Sequence, residues 1–217
     1  MDRDEPAGLA PLDGRAIDAV VDVESLSVTR VRRALATLGA RAGHWTFVST
    51  CSVYADNAVP GQRAATAPTQ EAAPDGGDES DRELYGPLKV ACEDAVRAAL
   101  AARAFVCRPG LIVGPGDCSD RFGYWPARLA RGGEVLVPGS PQDVVQYIDV
   151  RDCAGWIVNA AETGLVGTYD AICPPRPWGE VLSASPRRST RRRSCVGCRR
   201  ACRAADPAAG RHRARAY

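Results

Sequence analysis

Residues 44–54 read His44-Trp45-Thr46-Phe47-Val48-Ser49-Thr50-Cys51-Ser52-Val53-Tyr54. The stretch from His44 to Val48 is aromatic and β-branched, the composition of a strand. It closes on Ser49-Thr50-Cys51-Ser52, a run of short polar side chains. A strand that ends this way presents hydroxyls at the carboxyl edge of its sheet, and open α/β sheets bind their ligands at that edge. His44 has no cysteine or second histidine beside it and reads as a structural or surface residue, not a metal ligand.

Working outward from this strand, the pattern alternates. Ile17–Val23 is a mostly continuous apolar run and predicts another strand. Val31, Leu35 and Leu38 then recur at helical spacing on an arginine-rich segment that Gly39 or Gly43 ends. Residues 55–82 form a long polar loop, of a length that is usually functional or partly disordered inside a compact domain. A helix follows with Pro87 in its first turn and an inner face of Leu88, Cys92, Val96, Ala99 and Leu100. The strand over 104–108 stops at Pro109-Gly110, and Leu111–Gly116 continues it with an apolar and glycine-rich run. Farther on, the sequence predicts a short helix near 122–131, strands over 134–138 and 144–150, a helix over 151–163 and a last strand over 167–173. Strand and helix alternate from 17 to 108, which makes this an α/β domain with a parallel sheet.

One pair of side chains stands apart. Of the 28 basic residues, Lys89 is the only lysine, and it stands four positions after Tyr85 on the same helical face. An ammonium beside a phenol favours the phenolate, which suits a tyrosine acting as general acid or base near neutral pH. Guanidinium is a rigid fork and ammonium a compact point charge, so a lysine kept in an arginine-only chain points to a role arginine would not fill. Taken alone, Tyr-x-x-x-Lys is more often a surface helix pair. Its place after a hydroxyl-tipped strand and before an Arg108-Pro109-Gly110 strand end changes that balance.

Composition sets the frame. The 217 residues are 45% hydrophobic and 25% charged, ordinary for a globular chain with one core. No stretch approaches the ~20 apolar residues of a membrane span, and the acidic start Met1–Glu5 is not a secretory signal, so the expected address is cytoplasmic with no membrane partner. Cys51, Cys92, Cys107, Cys118, Cys153 and Cys173 are scattered singly, as reduced, mostly buried thiols are. The net charge of +2 conceals an asymmetry: residues 176–217 carry 12 basic and 2 acidic side chains, and residues 1–175 carry 16 basic and 24 acidic.

These features together resemble the extended short-chain dehydrogenase/reductase superfamily, within its NAD-dependent epimerase/dehydratase group. The resemblance covers residues 17–175 and rests on 47–54, Tyr85-Gly86-Pro87-Leu88-Lys89, Arg108–Asp117 and Val145–Asp152. It implies a partial Rossmann-like parallel sheet, a small substrate lobe and NAD or NADP as cofactor. It further implies that Thr50 hydrogen-bonds the substrate oxygen, that Tyr85 exchanges its proton, and that Lys89 binds the nicotinamide ribose and tunes Tyr85. Pro109 would flank the nicotinamide. Thr50 and Ser52, with Arg121 and Gln146 from the region 117–150 (which also holds Tyr124 and Trp125), would meet a small-molecule substrate, sugar-nucleotide-like or other. A homo-oligomer is compatible with the resemblance. Dehydratases of the group follow the threonine with an acidic pair; here Cys51 and Ser52 stand there, which favours reductase or epimerase chemistry.

The resemblance has a gap and a tail. No G-x-x-G-x-x-G turn for a pyrophosphate precedes Tyr85. By resemblance the chain starts near the end of the family's third strand, so the expected division is 1–116 as a partial dinucleotide-binding domain lacking its first strands, 117–182 as substrate-lobe elements and late strands, and 183–217 as a disordered basic tail. The strand at 17–23 becomes an apolar sheet edge, NAD cannot be told from NADP, and the chain is not expected to be active alone. From Ala184 on, Val196 is the only aliphatic residue larger than alanine, and the text reads like a shifted frame of a GC-rich gene. A truncated, frameshifted remnant, or a binding or regulatory protein of the same fold, is the alternative to an enzyme. The flanking DNA decides the first of these. Cys195, Cys198, Cys202 and His212 have ligand chemistry for zinc but no folded frame to hold it, so no metal is expected. The arginines of 187–203 would bind nucleic acid or another polyanion only non-specifically. Asp149 and Asp152, flanking Arg151, read as capping and a local ion pair.

Overall fold

The computed structural model describes residues 7–24 and 26–185, together with Glu5 and the short segment 195–197. In chain order the elements are β1 (Ile17–Asp22), α1 (Val28–Leu38), β2 (Ala42–Val48), α2 (Tyr85–Leu100), β3 (Ala104–Pro109), β4 (Leu111–Val113) and α3 (Tyr124–Arg131). They continue with β5 (Val135–Val137), β6 (Val144–Val145), β7 (Tyr147–Asp149), α4 (Val150–Thr163), β8 (Gly167–Ala171), β9 (Arg176–Pro177), α5 (Trp178–Ala184) and β10 (Cys195–Gly197). Two compact units result: residues 1–110 with 151–171, and residues 111–150 with 172–217.

The first unit is a four-stranded sheet in the order β1-β2-β3-β8, parallel throughout. Strand residues alternate between its two faces. Trp45, Phe47, Ala104 and Val106 belong to one core with Val31, Leu35 and Leu38 of α1 and Cys92, Val96 and Leu100 of α2. On the other face Phe105 meets Trp156 of α4 edge-to-face at 5.0 Å. With helices on both faces, every residue of β3 is buried, the reason a central parallel strand reads as an unbroken apolar run. Burying Trp45, Phe47 and Phe105, each at 1% exposure or less, stabilises the unit by roughly 1.5–3 kcal/mol apiece.

Several expectations shift by a turn or a residue. Gly39 caps α1, whereas Gly43 lies inside β2, where a Cβ would come within 2.7 Å of the Asp18 carbonyl. The inner face of α2 is Leu88, Cys92, Val96 and Leu100, but Ala99 is exposed. It borders a groove lined by Arg32, Leu35 and Asp94. The apolar run over 144–150 is two short strands, β6 and β7, with Val150 opening α4. His44 is buried and its Nε2 sits 2.8 Å from the Leu165 carbonyl, a structural histidine. Cys92, Cys107 and Cys153 are buried free thiols, but Cys118 is exposed.

Among the described residues β1 pairs with β2 alone, and Val21 and Val23 are 44% and 70% exposed beside it. This is the apolar edge expected of the strand at 17–23, and such edges recruit other strands. Val21→Lys is expected to reduce concentration-dependent light scattering while changing the unfolding midpoint little, since exposed substitutions cost within ±0.5 kcal/mol. Equal scattering in both proteins would show that this edge is not the sticky surface.

The second unit is built from small pairings: β4 with β7 and β5 with β10, both parallel, and β6 with β9, antiparallel. Val135, Val137 and Leu182 form its core, with Trp125, Leu129 and Trp178 packed against them. Ser183 and Ala184 complete α5. Apart from residues 183–185 and β10, the basic tail lies outside the described residues, as do Cys198, Cys202 and His212 of the zinc reading and most of the arginine stretch 187–203. No described helix is long and apolar enough to cross a membrane.

Candidate active site

The hydroxyl row stands at the carboxyl end of β2. Thr50, buried and extended, caps a single 3-10 turn over Cys51–Val53: its Oγ1 accepts from the Ser52 N–H at 3.1 Å and donates to Ser52 Oγ at 3.2 Å. The turn is tied down from several sides. The Cys51 thiol reaches the Arg108 carbonyl at 3.3 Å, and Tyr54 donates through its hydroxyl to Asp170 of β8 at 2.5 Å. Burial first, then the Asp170 carboxylate, pushes the Cys51 thiol up to about 12. It stays a thiol at neutral pH, and so does not replace the carboxylate of an acid/base pair.

Tyr85 opens α2, 37% exposed, and its hydroxyl has no hydrogen-bond partner among the described residues. Lys89, one turn on, is 3% exposed. Its ammonium donates to the carbonyls of Val48 at 2.7 Å and Glu24 at 2.8 Å, and lies 4.4 Å above the Phe47 ring. Desolvation lowers its pKa to about 8, against the pull of nearby Asp22, Glu24 and Glu93. The lysine therefore joins the ends of β1 and β2 to α2, with one ammonium proton left beyond these two carbonyls.

Two residues that build the site carried no assigned role in the sequence. Glu93, fully buried on α2, accepts a fork from Arg108 of β3: Nε at 2.9 Å and Nη2 at 2.7 Å; Arg97 Nη2 adds a third bond at 2.5 Å. The Arg108 guanidinium stacks 4.9 Å over the Tyr54 ring. The signal was available: an arginine inside an otherwise apolar strand needs a carboxylate, and Glu93 is four residues past Lys89.

Pro109 is the buried last residue of β3. Arg121 and Gln146 belong to the second unit, where local bonds hold them. Arg121 Nε donates to Ser119 Oγ at 3.0 Å, and Gln146 Nε2 donates to the Cys173 carbonyl at 2.9 Å. Among the described residues no group of histidine, cysteine and acidic side chains could hold a metal.

A family model described as "NAD dependent epimerase/dehydratase family" matches residues 13–170. The chain belongs to that family. No curated protein matches. Among solved structures the family fold recurs in a putative epimerase from Burkholderia cenocepacia J2315, with TM-score 0.66 and 21% identity over 84% of this chain. It recurs in the dTDP-4-dehydrorhamnose reductase of Bacillus anthracis str. Ames in complex with NADP, with TM-score 0.63 and 16% identity over 84% of this chain and 66% of that one. The Bordetella bronchiseptica enzyme WbmG in complex with NAD gives TM-score 0.65 and 14% identity over 84% of this chain and 60% of that one. This family member spans 62% of the length of the Burkholderia protein.

Proposed function

We propose that this chain carries the proton-transfer centre of an NAD(P)-dependent reductase or epimerase acting at a carbonyl or alcohol carbon of a sugar-nucleotide-like substrate. The observation that carries the reading is the unpartnered, part-exposed Tyr85 hydroxyl at the start of a helix whose next turn holds Lys89 against two strand-end carbonyls. Tyr85 delivers or removes the proton at the substrate oxygen. Thr50 donates its hydrogen bond to Ser52 Oγ, which leaves the Ser52 O–H free to bond that same oxygen. Cys51, locked as a thiol, supports no elimination step.

The donor set suits the ribose end of a nicotinamide cofactor: a free phenol and the remaining ammonium proton of Lys89 match a pair of sugar hydroxyls. The cofactor supplies the hydride. Pro109 closes the strand beside which the nicotinamide would lie. None of the strand-to-helix connections among the described residues carries a G-x-x-G-x-x-G turn, so this chain by itself holds the dinucleotide weakly, and turnover requires cofactor well above micromolar concentration. Arg121 and Gln146 remain candidate substrate contacts, and a second copy of the chain is a compatible partner.

The test is reduction of a 4-keto sugar nucleotide by the full chain at millimolar NADPH, compared with Tyr85→Phe. Removing a general acid costs roughly 100- to 10,000-fold in rate, with no change in the unfolding midpoint. Equal rates for the two proteins would sink the reading.

The buried state of Lys89 favours a second reading, a family fold kept for binding or regulation, in which the lysine is a structural pin. Fluorescence titration with NADH and NADPH separates the two: no quenching or enhancement up to millimolar cofactor supports the pin.

A further inference from the structure

The hydroxyl turn and the Tyr85 helix do not touch through apolar packing alone. Residues 68–73 of the long loop run between them. Ala55 N–H bonds the Pro68 carbonyl at 3.0 Å, Tyr54 and Thr69 form an antiparallel bridge, and Gln70 N–H bonds the Val53 carbonyl at 2.8 Å. Three residues on, Ala73 N–H bonds the Pro87 carbonyl of α2 at 3.0 Å. The strap is therefore stitched to the turn at one end and to the first turn of α2 at the other.

Gln70 sits at the crossing. Its Nε2 donates to the Ser52 carbonyl at 2.6 Å. A Cβ on Gly86 would lie 2.5 Å from that same carbonyl and would collide with the Gln70 amide as well. Three groups thus share one spot: the carbonyl of Ser52, the amide of Gln70 and the bare α-carbon of Gly86. Gly86 is the neighbour of Tyr85, and Ser52 is the hydroxyl bonded by Thr50. Nothing larger than glycine fits, and nothing without a donor satisfies a carbonyl pressed this close to a helix.

We propose that Gln70 is a positioning residue, which with Gly86 sets the separation between the Thr50–Ser52 hydroxyls and Tyr85. The proposal rests on the catalytic reading of those residues for its consequence, but not for its geometry. Gln70 touches no reacting atom; it acts through the Ser52 carbonyl on one side and the start of α2 on the other.

Two measurements on the full chain test it. The first needs no activity: the Tyr85 ring carbon resonance, assigned by its loss in Tyr85→Phe, is recorded in Gln70→Met, Gly86→Ala and Gln62→Met. Gln62 bonds carbonyls of its own loop only and serves as the control. The resonance is expected to move in the first two variants and stay in the control; spectra that superimpose in all of them overturn the proposal. Because Gly86→Ala could perturb folding, Gln70→Met, close in size and lacking the donor, is the deciding variant, with its unfolding midpoint measured alongside. The second is kinetic. Gln70→Met is expected to lower kcat roughly 10- to 100-fold at unchanged KM, the order expected for a small misplacement of catalytic groups. It should have no further effect in the Tyr85→Phe background. An equal loss in both backgrounds, or a change confined to KM, also overturns the proposal. A wild-type chain with no reductase activity counts against the catalytic reading alone, and the resonance shift still decides the positioning.

Discussion

Glu93→Gln is expected to lower stability by about 3–5 kcal/mol, because it leaves Arg108 charged and buried without its carboxylate. In a chain of this size the loss corresponds to roughly 10 °C or more in Tm. The magnitude follows from burial: Glu93 is 0% and Arg108 2% exposed, so water cannot take the place of the missing partner. The pH dependence carries the same signature. Burial opposes ionisation of Glu93, but the Arg108 hydrogen bonds and charge, with Arg97, outweigh it and hold the carboxyl below its ordinary value. A carboxylate depressed in the folded state contributes stability that is complete above the unfolded value of about 4.3 and is lost as pH falls through the folded one. Urea unfolding from pH 7 down to pH 3 should show wild type losing stability faster than Glu93→Gln. The double variant Glu93→Leu with Arg108→Met should lose far less than Glu93→Gln alone, since the desolvation penalty disappears with both charges. If the single variant unfolds within 1 kcal/mol of wild type, the fork is not closed in solution.

The second large effect belongs to Lys89. A lysine titrating near 8 instead of 10.5 is strained when charged, at a cost to the folded state of about 3 kcal/mol. Between these two values the unfolded chain binds the proton and the folded chain has released it, so stability rises with pH across that window. Cys92, pushed up to about 12 mainly by burial, acts in the opposite sense. Above about pH 9 the unfolded thiol ionises first and draws stability down. The raw profile therefore mixes two slopes. The difference between wild type and Lys89→Met carries the lysine's slope together with its charge coupling to Cys92, and it should move in favour of wild type by about 3 kcal/mol from pH 7.5 to 10.5. A flat difference would mean that water reaches the ammonium.

How much of this was legible in the sequence depended on the range of the interaction. The sheet was readable because β2 and β3 are short apolar runs between turn residues, and parallel order follows from intervening helices. The hydroxyl row, Tyr85 and Lys89 stood out as candidates because chemistry and spacing coincide within a strand end and two helical turns. Ala99 was misplaced because helical periodicity shows which residues share a face, but not where a neighbouring element stops covering it. The split of 144–150 into β6 and β7 was hidden because each strand's partner lies elsewhere: β9 for one, β4 for the other. Gln70 could not have been singled out at all. Nothing in a polar loop marks the one amide that meets a glycine and a carbonyl, and only the folded path of the loop brings positions 52, 70 and 86 to one place.

A lone lysine sealed beneath a helix also turns the protein into its own reporter. Amine-directed reagents such as succinimidyl esters have, apart from an α-amino group, a single target here, and it is nearly inaccessible while α2 is docked. The rate of acylation at Lys89 is then set by how often α2 lifts from the ends of β1 and β2. Mass spectrometry of one peptide would read that opening directly, without any engineered tag.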